Sequence, residues 1–336
     1  MNNKKIWTSF VAAVCMLLMV TDTNTSLSGA KDGIHLCLYV VIPSLFPMFV
    51  LTIILANTLG NTRSRLLTKM GKLCRMPEGS ESLLLIGLLS GYPVGAQCVA
   101  EAYHNSQISQ NTARRLLGFC SNAGPSFIFG MVGSLFVSKG TVFILWFIHI
   151  ISAIITASIL PTTNDLPCNL LNDNQITISK AVEKSAKSIM FVCAWVVLFR
   201  IIIAFIQRWL LILLPSNLSA FVIGILELSN GIHWLNNVTS QGMRFVLSST
   251  FLGFGGICVL LQTTSVTSGL GLGYYFPGKI LHAAISFLLS WLLQYFIFPA
   301  EGHWSPQWYS LIILSVFIAV VLSLRKNSSN FERNVV

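Results

Sequence analysis

The sequence predicts an all-α, polytopic membrane protein with about eight spanning helices, two re-entrant hairpins and an inverted internal repeat. Three observations carry this: an apolar composition, Gly/Pro interruptions that recur in both halves, and the distribution of Lys and Arg. Of 336 residues, 54% are hydrophobic and 10% are charged, with a mean hydropathy of +0.73. A soluble domain carries about 25% charged residues. The formal net charge of +10 suits cytoplasmic loops beside anionic lipid. No basic run interleaved with aromatics points to nucleic acid. The lipid bilayer is therefore the expected partner, nucleic acid is not, and a homo-oligomer stays open.

Crossing the hydrocarbon takes about 20 apolar residues. The candidate segments are 5–20, 34–60, 82–103, 113–137, 141–160, 188–214, 218–235, 245–268, 278–299 and 307–324. The first reads as an uncleaved N-terminal helix, so that 1–33 forms a helix and loop ahead of a first repeat at 34–160. The polar stretch 161–187 divides the chain. Lys180, Lys184 and Lys187 fall at helical spacing, which predicts a short basic helix on the membrane surface. A second repeat then covers 188–300, and 301–336 holds a last helix and a disordered tail.

Each half contains interrupted segments followed by a helix with an internal histidine. The first half reads "SGYPVGAQ", "CSNAGPSFIFG" and "FIHIISAI"; the second reads "ELSNG", "GFGGICVLLQ" and "ILHAAISF". Pro125 lies 24 residues before His149, and Gly256 lies 26 before His282. Gly and Pro break helices, and broken backbone at membrane depth survives only inside protein or around a wet cavity. Paired breaks in two halves point to a carrier's binding site. A kink made for close helix packing needs no such pairing.

Charge counting sets the topology. If 82–103 and 218–235 re-enter, Arg114, Arg115, Lys180, Lys184 and Lys187 move to the inner side while Lys139 and Arg208 move out. The positive-inside rule prefers that arrangement. It leaves both termini cytoplasmic and inverts one half against the other.

The predicted substrate-binding residues surround the breaks. In the first half they are Gly91, Tyr92, Pro93, Gly95, Gln97, Ser121, Asn122, Gly124, Pro125 and Ser126. In the second they are Glu227, Ser229, Asn230, Gly255, Gly256 and Gln262. Their side chains offer hydroxyl and amide groups, with Glu227 the main carboxylate. Backbone N–H groups at the start of a broken helix favour anions. The expected ligand is therefore a small-molecule anion held by helix N-termini without a dedicated lysine. Arg200, inside "VVLFRIIIAF", is a candidate partner for Glu227 or for the anion. No nucleophile–base pair, metal-ligand cluster or cofactor motif appears, so the chain does not read as an enzyme, and neither a metal nor a cofactor is expected.

With these motifs in place, the chain resembles the sporulation-type integral membrane proteins with duplicated nucleoside-recognition, or gate, domains. The resemblance rests on "PSLFPMFVL" (43–51), "LLSGYPVGAQCVAE" (88–101), "RLLGFCSNAGPSFIFGMVG" (115–133), "LEL" (226–228), "GFGGICVLLQ" (253–262) and "KILHAAIS" (279–286). It implies a multi-pass protein of the mother-cell or forespore membrane in an endospore-forming bacterium, associated with movement of dipicolinate. The wider gate-domain group includes nucleoside carriers, and a non-transporting assembly role in sporulation is the contrasting reading. Leu261 departs from the pattern, which usually has His shortly before the Gln of the second-half motif.

Overall fold

A computed structural model describes residues 3–59, 64–162, 168, 170 and 176–299. The last helix at 307–324 and the tail lie outside the described residues, as does much of the polar stretch after Leu160. Among the described residues there are helices and no strands. Five helical runs are long and apolar enough to cross a membrane: Thr23–Ala56, Lys139–Ile159, Ile178–Trp209, Gln241–Val266 and Tyr275–Ile297.

The chain opens with α1 (Asn3–Thr21) and α2 (Thr23–Leu36); a π-helical turn at Cys37–Val41 leads directly into α3 (Ile42–Leu59). The boundary predicted near residue 33 thus falls inside one continuous run, because nothing at 34–41 interrupts it. α4 (Arg65–Leu73) precedes a tight pair, α5 (Glu81–Leu89) and α6 (Val94–His104). Then come α7 (Gln110–Leu116), α8 (Pro125–Gly130) and α9 (Lys139–Ile159). The second half begins with α10 (Ile178–Trp209) and a second tight pair, α11 (Ser216–Leu226) and α12 (Leu228–Trp234). It continues with α13 (Gln241–Phe254), α14 (Gly256–Val266) and α15 (Tyr275–Ile297). Lys180, Lys184 and Lys187 are not on a separate surface helix. They sit in the first turns of α10, whose 32 residues run unbroken because no Gly or Pro stands between 178 and 209.

The tight pairs are short for a physical reason. α5 and α6 have 9 and 11 residues, and a helix rises about 1.5 Å per residue, so each reaches roughly half of a 30 Å hydrocarbon layer. Each pair folds back on itself at a glycine contact. A Cβ on Gly95 would meet the Gly87 Cα, and one on Gly231 would meet the Gly224 backbone. A third element closes each crossing at a matching place. The Cys120 carbonyl packs on Gly87 and Gly95, and the Phe251 ring packs on Gly224 and Gly231. Cys120 stands five residues before Pro125, and Phe251 stands five before Gly256. The two halves therefore repeat the same contacts.

Long helices surround these pairs. α15 packs on α13 and α9, while α10 packs on α2 and α3. The α9–α15 contact places the His149 and His282 rings in a stack with centroids 4.7 Å apart. Arg200 does not approach Glu227. It pairs with Asp32 on α2 at 2.7 Å and bonds Gln207 at 2.9 Å. Arg115 is not a loop charge either. It is buried and donates to the carbonyls of Ala157 and Cys74 at 2.8 Å and of Pro161 at 2.6 Å, so it closes the C-terminal end of α9.

The glycine crossings make a stability prediction. Gly224→Val puts side-chain atoms where the Phe251 ring lies, and is expected to cost about 1–3 kcal/mol or more, as overpacking does. Gly140→Ala, whose Cβ meets only Ser138 Oγ at 3.4 Å, should leave the unfolding midpoint in detergent unchanged.

Candidate functional site

The four interruptions come together at one place. Gly91 adopts φ +86°, a left-handed conformation that suits glycine, and the Tyr92–Pro93 peptide beside it is cis. A Cβ on Gly91 would lie 3.2 Å from the Gly124 nitrogen, so the two breaks of the first half abut. The second half does the same, since a Cβ on Gly256 would lie 3.3 Å from the Leu228 nitrogen. Tyr92 then joins the halves. Its ring packs on Gly255 (3.1 Å to a Cβ placed there), and its hydroxyl donates to the Leu252 carbonyl at 3.1 Å.

Side chains mend the open backbone. Asn122 Nδ2 donates to the Phe119 carbonyl at 2.8 Å. The Ala123 N–H donates to His149 Nε2 at 3.2 Å, so that nitrogen carries no proton. His282 Nε2 meets the His149 carbonyl at 3.1 Å. Glu227 caps α12: its carboxylate accepts from the Ser229 N–H at 2.9 Å, the Asn230 N–H at 2.7 Å and Asn230 Nδ2 at 2.6 Å. That cap corrects one expectation. The positive end of α12 does not wait for an anionic ligand, because a protein carboxylate already occupies it.

The larger correction is Lys279. The site has a lysine after all. Lys279 is 1% exposed. Its ammonium donates to the Ser121 carbonyl, to Tyr92 Oη at 3.1 Å and to Asn122 Oδ1 at 3.4 Å. It also lies over the rings of Tyr92 and Tyr275, at 4.9 and 5.9 Å from their centroids. α15 approaches closely enough because Gly278 packs backbone to backbone on Gly118. In sequence Lys279 reads as a loop charge, since it stands at the start of the apolar run of α15. One signal was present: Lys279 and His282 are three apart and share a helix face, and His282 reads as buried. Removing Lys279 and Arg115 from the loop charges leaves the charge preference for re-entrant pairs unchanged.

Three cavities follow α3. The central one, about 30 Å³, is lined by Leu45 of α3, Tyr92, Gly124, Glu227, Ser229 and Gln262. It has room for about two water molecules, which is less than an organic ligand needs. A second cavity of about 100 Å³ reaches Ile53 and Ala56 of α3 and contains Gln97 and Glu101. A third of about 440 Å³ reaches Ser44 and contains Ser126, His233 and Asn236. Of the predicted residues, Tyr92, Gly124, Glu227, Ser229 and Gln262 thus share the central cavity. Gln97 and Ser126 do not. Gln97 bonds Glu101 at 3.1 Å, and Glu101 pairs with Lys184 of α10 at 3.3 Å. Ser121 and Asn122 are fully buried behind the cavity against Lys279. Gly91, Pro93, Gly95, Pro125, Gly255 and Gly256 shape the breaks, and the Asn230 side chain is spent on Glu227.

This fold defines an all-α polytopic membrane protein whose broken helices converge on a small internal cavity. No family model matches the chain, and no solved structure matches it. The chain is similar to the sporulation integral membrane protein YlbJ of Bacillus subtilis (strain 168), with 32% identity over 151 residues. The match takes in 43% of this chain and 37% of that relative's length. The likeness supports a sporulation integral membrane protein family, as the motifs suggest, and says nothing of nucleoside-recognition domains.

The hydroxyl of Tyr92 gives a direct test of the junction. Tyr92→Phe leaves the Leu252 carbonyl and the Lys279 ammonium each one partner short, at an expected cost of about 1–3 kcal/mol. Thermal unfolding in detergent should show the loss. Tyr274→Phe, at a position 37% exposed, should not show it.

Proposed function

We propose that the protein is a membrane carrier for a small organic anion, acting during endospore formation, and that it is not an enzyme. The observation that carries this is the meeting of all four breaks around one cavity lined from both halves. A scaffold has no use for interrupted helices, buried polar groups and a cavity at their meeting point, each of which costs stability. A carrier needs all three. Two further cavities lie along α3 beside the central one, and each carries polar side chains: Gln97 and Glu101 in one, Ser126 and His233 in the other.

The anion proposed is dipicolinate. The resemblance of the motifs implies it, and the likeness to a sporulation protein supports the setting. The two tight pairs enter from opposite membrane faces, both termini are cytoplasmic, and the membrane is that of the mother cell or forespore. A nucleoside carrier is the second reading. Ser229 and Gln262 favour it, since they line the centre with neutral hydrogen-bonding groups.

Two measurements test these proposals. Reconstituted in proteoliposomes, the protein should take up dipicolinate. Other aromatic dicarboxylates should compete, and uridine or adenosine should compete poorly. Competition by nucleosides alone reverses the assignment. Separately, single cysteines at Asn105 and Asn237, both exposed, should react with an impermeant thiol reagent from opposite faces. Labelling from one face overturns the inverted arrangement.

A further inference from the structure

We propose that Lys279 is the residue that reads the carboxylate of the carried anion, exchanging its present neutral oxygens for the ligand's. This rests on the anion-carrier reading and extends it by naming the group that recognises charge.

The argument begins with the cost of the lysine. An ammonium taken fully out of water costs several kcal/mol unless it is paired. At 1% exposure, Lys279 is out of water, yet among the described residues no Asp or Glu forms an ion pair with it. Three neutral oxygens hold it: the Ser121 carbonyl, the Tyr92 hydroxyl and the Asn122 amide oxygen. Two aromatic faces add a weak attraction. For packing alone, a methionine or leucine would fill the same position at no electrostatic cost.

The location gives the cost a use. Lys279 projects from a helix of the second half onto the breaks of the first, where Tyr92 touches both the ammonium and the central cavity. Lys279 touches Tyr92, Ser121 and Asn122, and Tyr92, Ala123 and Gly124 line the cavity. The cavity's own charged group is Glu227, which is committed to capping α12 through three N–H donors. A small dicarboxylate entering the site therefore meets one charge of opposite sign that is held by neutral groups alone. Its carboxylate oxygens replace the Ser121 and Asn122 oxygens with charge-assisted bonds, which are about twice as strong. The exchange also removes one of the contacts that tie the first-half break to the second half.

The experiment uses the full-length protein in detergent and two isosteric probes, pyridine-2,6-dicarboxylate and its neutral dicarboxamide. Binding is measured by equilibrium dialysis, and uptake of the diacid is measured in proteoliposomes. Wild type should bind the diacid more tightly than the diamide. Lys279→Gln keeps a donor for the Ser121 carbonyl and loses the charge. It should bind the diacid about 10- to 100-fold more weakly, the loss of one charge-assisted bond, and the diamide as wild type does. Lys279→Arg should restore preference for the diacid. Equal weakening for both probes means that Lys279 only holds the fold, and unchanged diacid binding removes it from the site; either result overturns the inference while leaving the carrier reading intact. If Lys279→Gln does not fold, wild type decides: equal stabilisation of its unfolding midpoint by diacid and diamide overturns the inference. Wild-type protein that neither binds nor transports the diacid overturns the carrier reading, and the inference falls with it.

Discussion

Backbone N–H and C=O groups at membrane depth have no water to turn to, and this structure is organised around that constraint. Among the described residues four interruptions meet at the centre, and the groups freed there are answered partly by local side chains such as Asn122 and Glu227 and partly by side chains of the other half. Tyr92 of the first half meets the Leu252 carbonyl of the second. Lys279 of the second meets the Ser121 carbonyl of the first. The exchange is reciprocal, so neither half satisfies its breaks alone. That mutual dependence explains why such polar residues are tolerated at the centre of a chain that is otherwise 54% hydrophobic.

The two internal histidines belong to the same system. His149 accepts from the Ala123 N–H at one break, and its own carbonyl meets His282 across the α9–α15 contact. The stacked rings thus connect a break to the α9–α15 contact between the halves. Small residues make this geometry possible. Gly118 lies against Gly278, and Gly253 against Ala283, so α15 comes close enough for Lys279 to reach the first-half break and for His282 to reach the His149 carbonyl. Without hydrophobic driving force between helices in lipid, close backbone packing and interhelical hydrogen bonds supply the association.

Charge follows the same economy. Of the basic residues that a topology count assigns to loops, Arg115 and Lys279 are buried, each on backbone carbonyls. Arg200, which sits within an apolar run, instead reaches an acidic partner at the edge of α2. Arg208 pairs with Asp22 in the same way at 3.1 Å, so two ion pairs fasten the N-terminal helices along α10. Buried Arg115 and Lys279 sit on open backbone carbonyls, while the pairs of Arg200 and Arg208 mark the seam between α10 and α2.

The sequence by itself determined the class of protein, the position of every break and the likeness between halves. Composition decides solvent preference, and Gly and Pro act on their own backbone whatever surrounds them. That is why the breaks at 91–93, 124–125, 227 and 255–256 were legible, together with Tyr92, Glu227, Ser229 and Gln262 as residues beside a cavity. Only the tertiary structure decided which partners the breaks take. Glu227 turned inward onto its own helix, Gln97 and Ser126 fell into separate cavities, and Lys279 joined the centre. These outcomes depend on how closely helices distant in sequence approach, which glycine contacts such as Gly118 with Gly278 set through space. A lysine at the edge of an apolar run looks the same in sequence whether it faces water or the core. The approach of a neighbouring backbone, which local sequence does not encode, makes the difference.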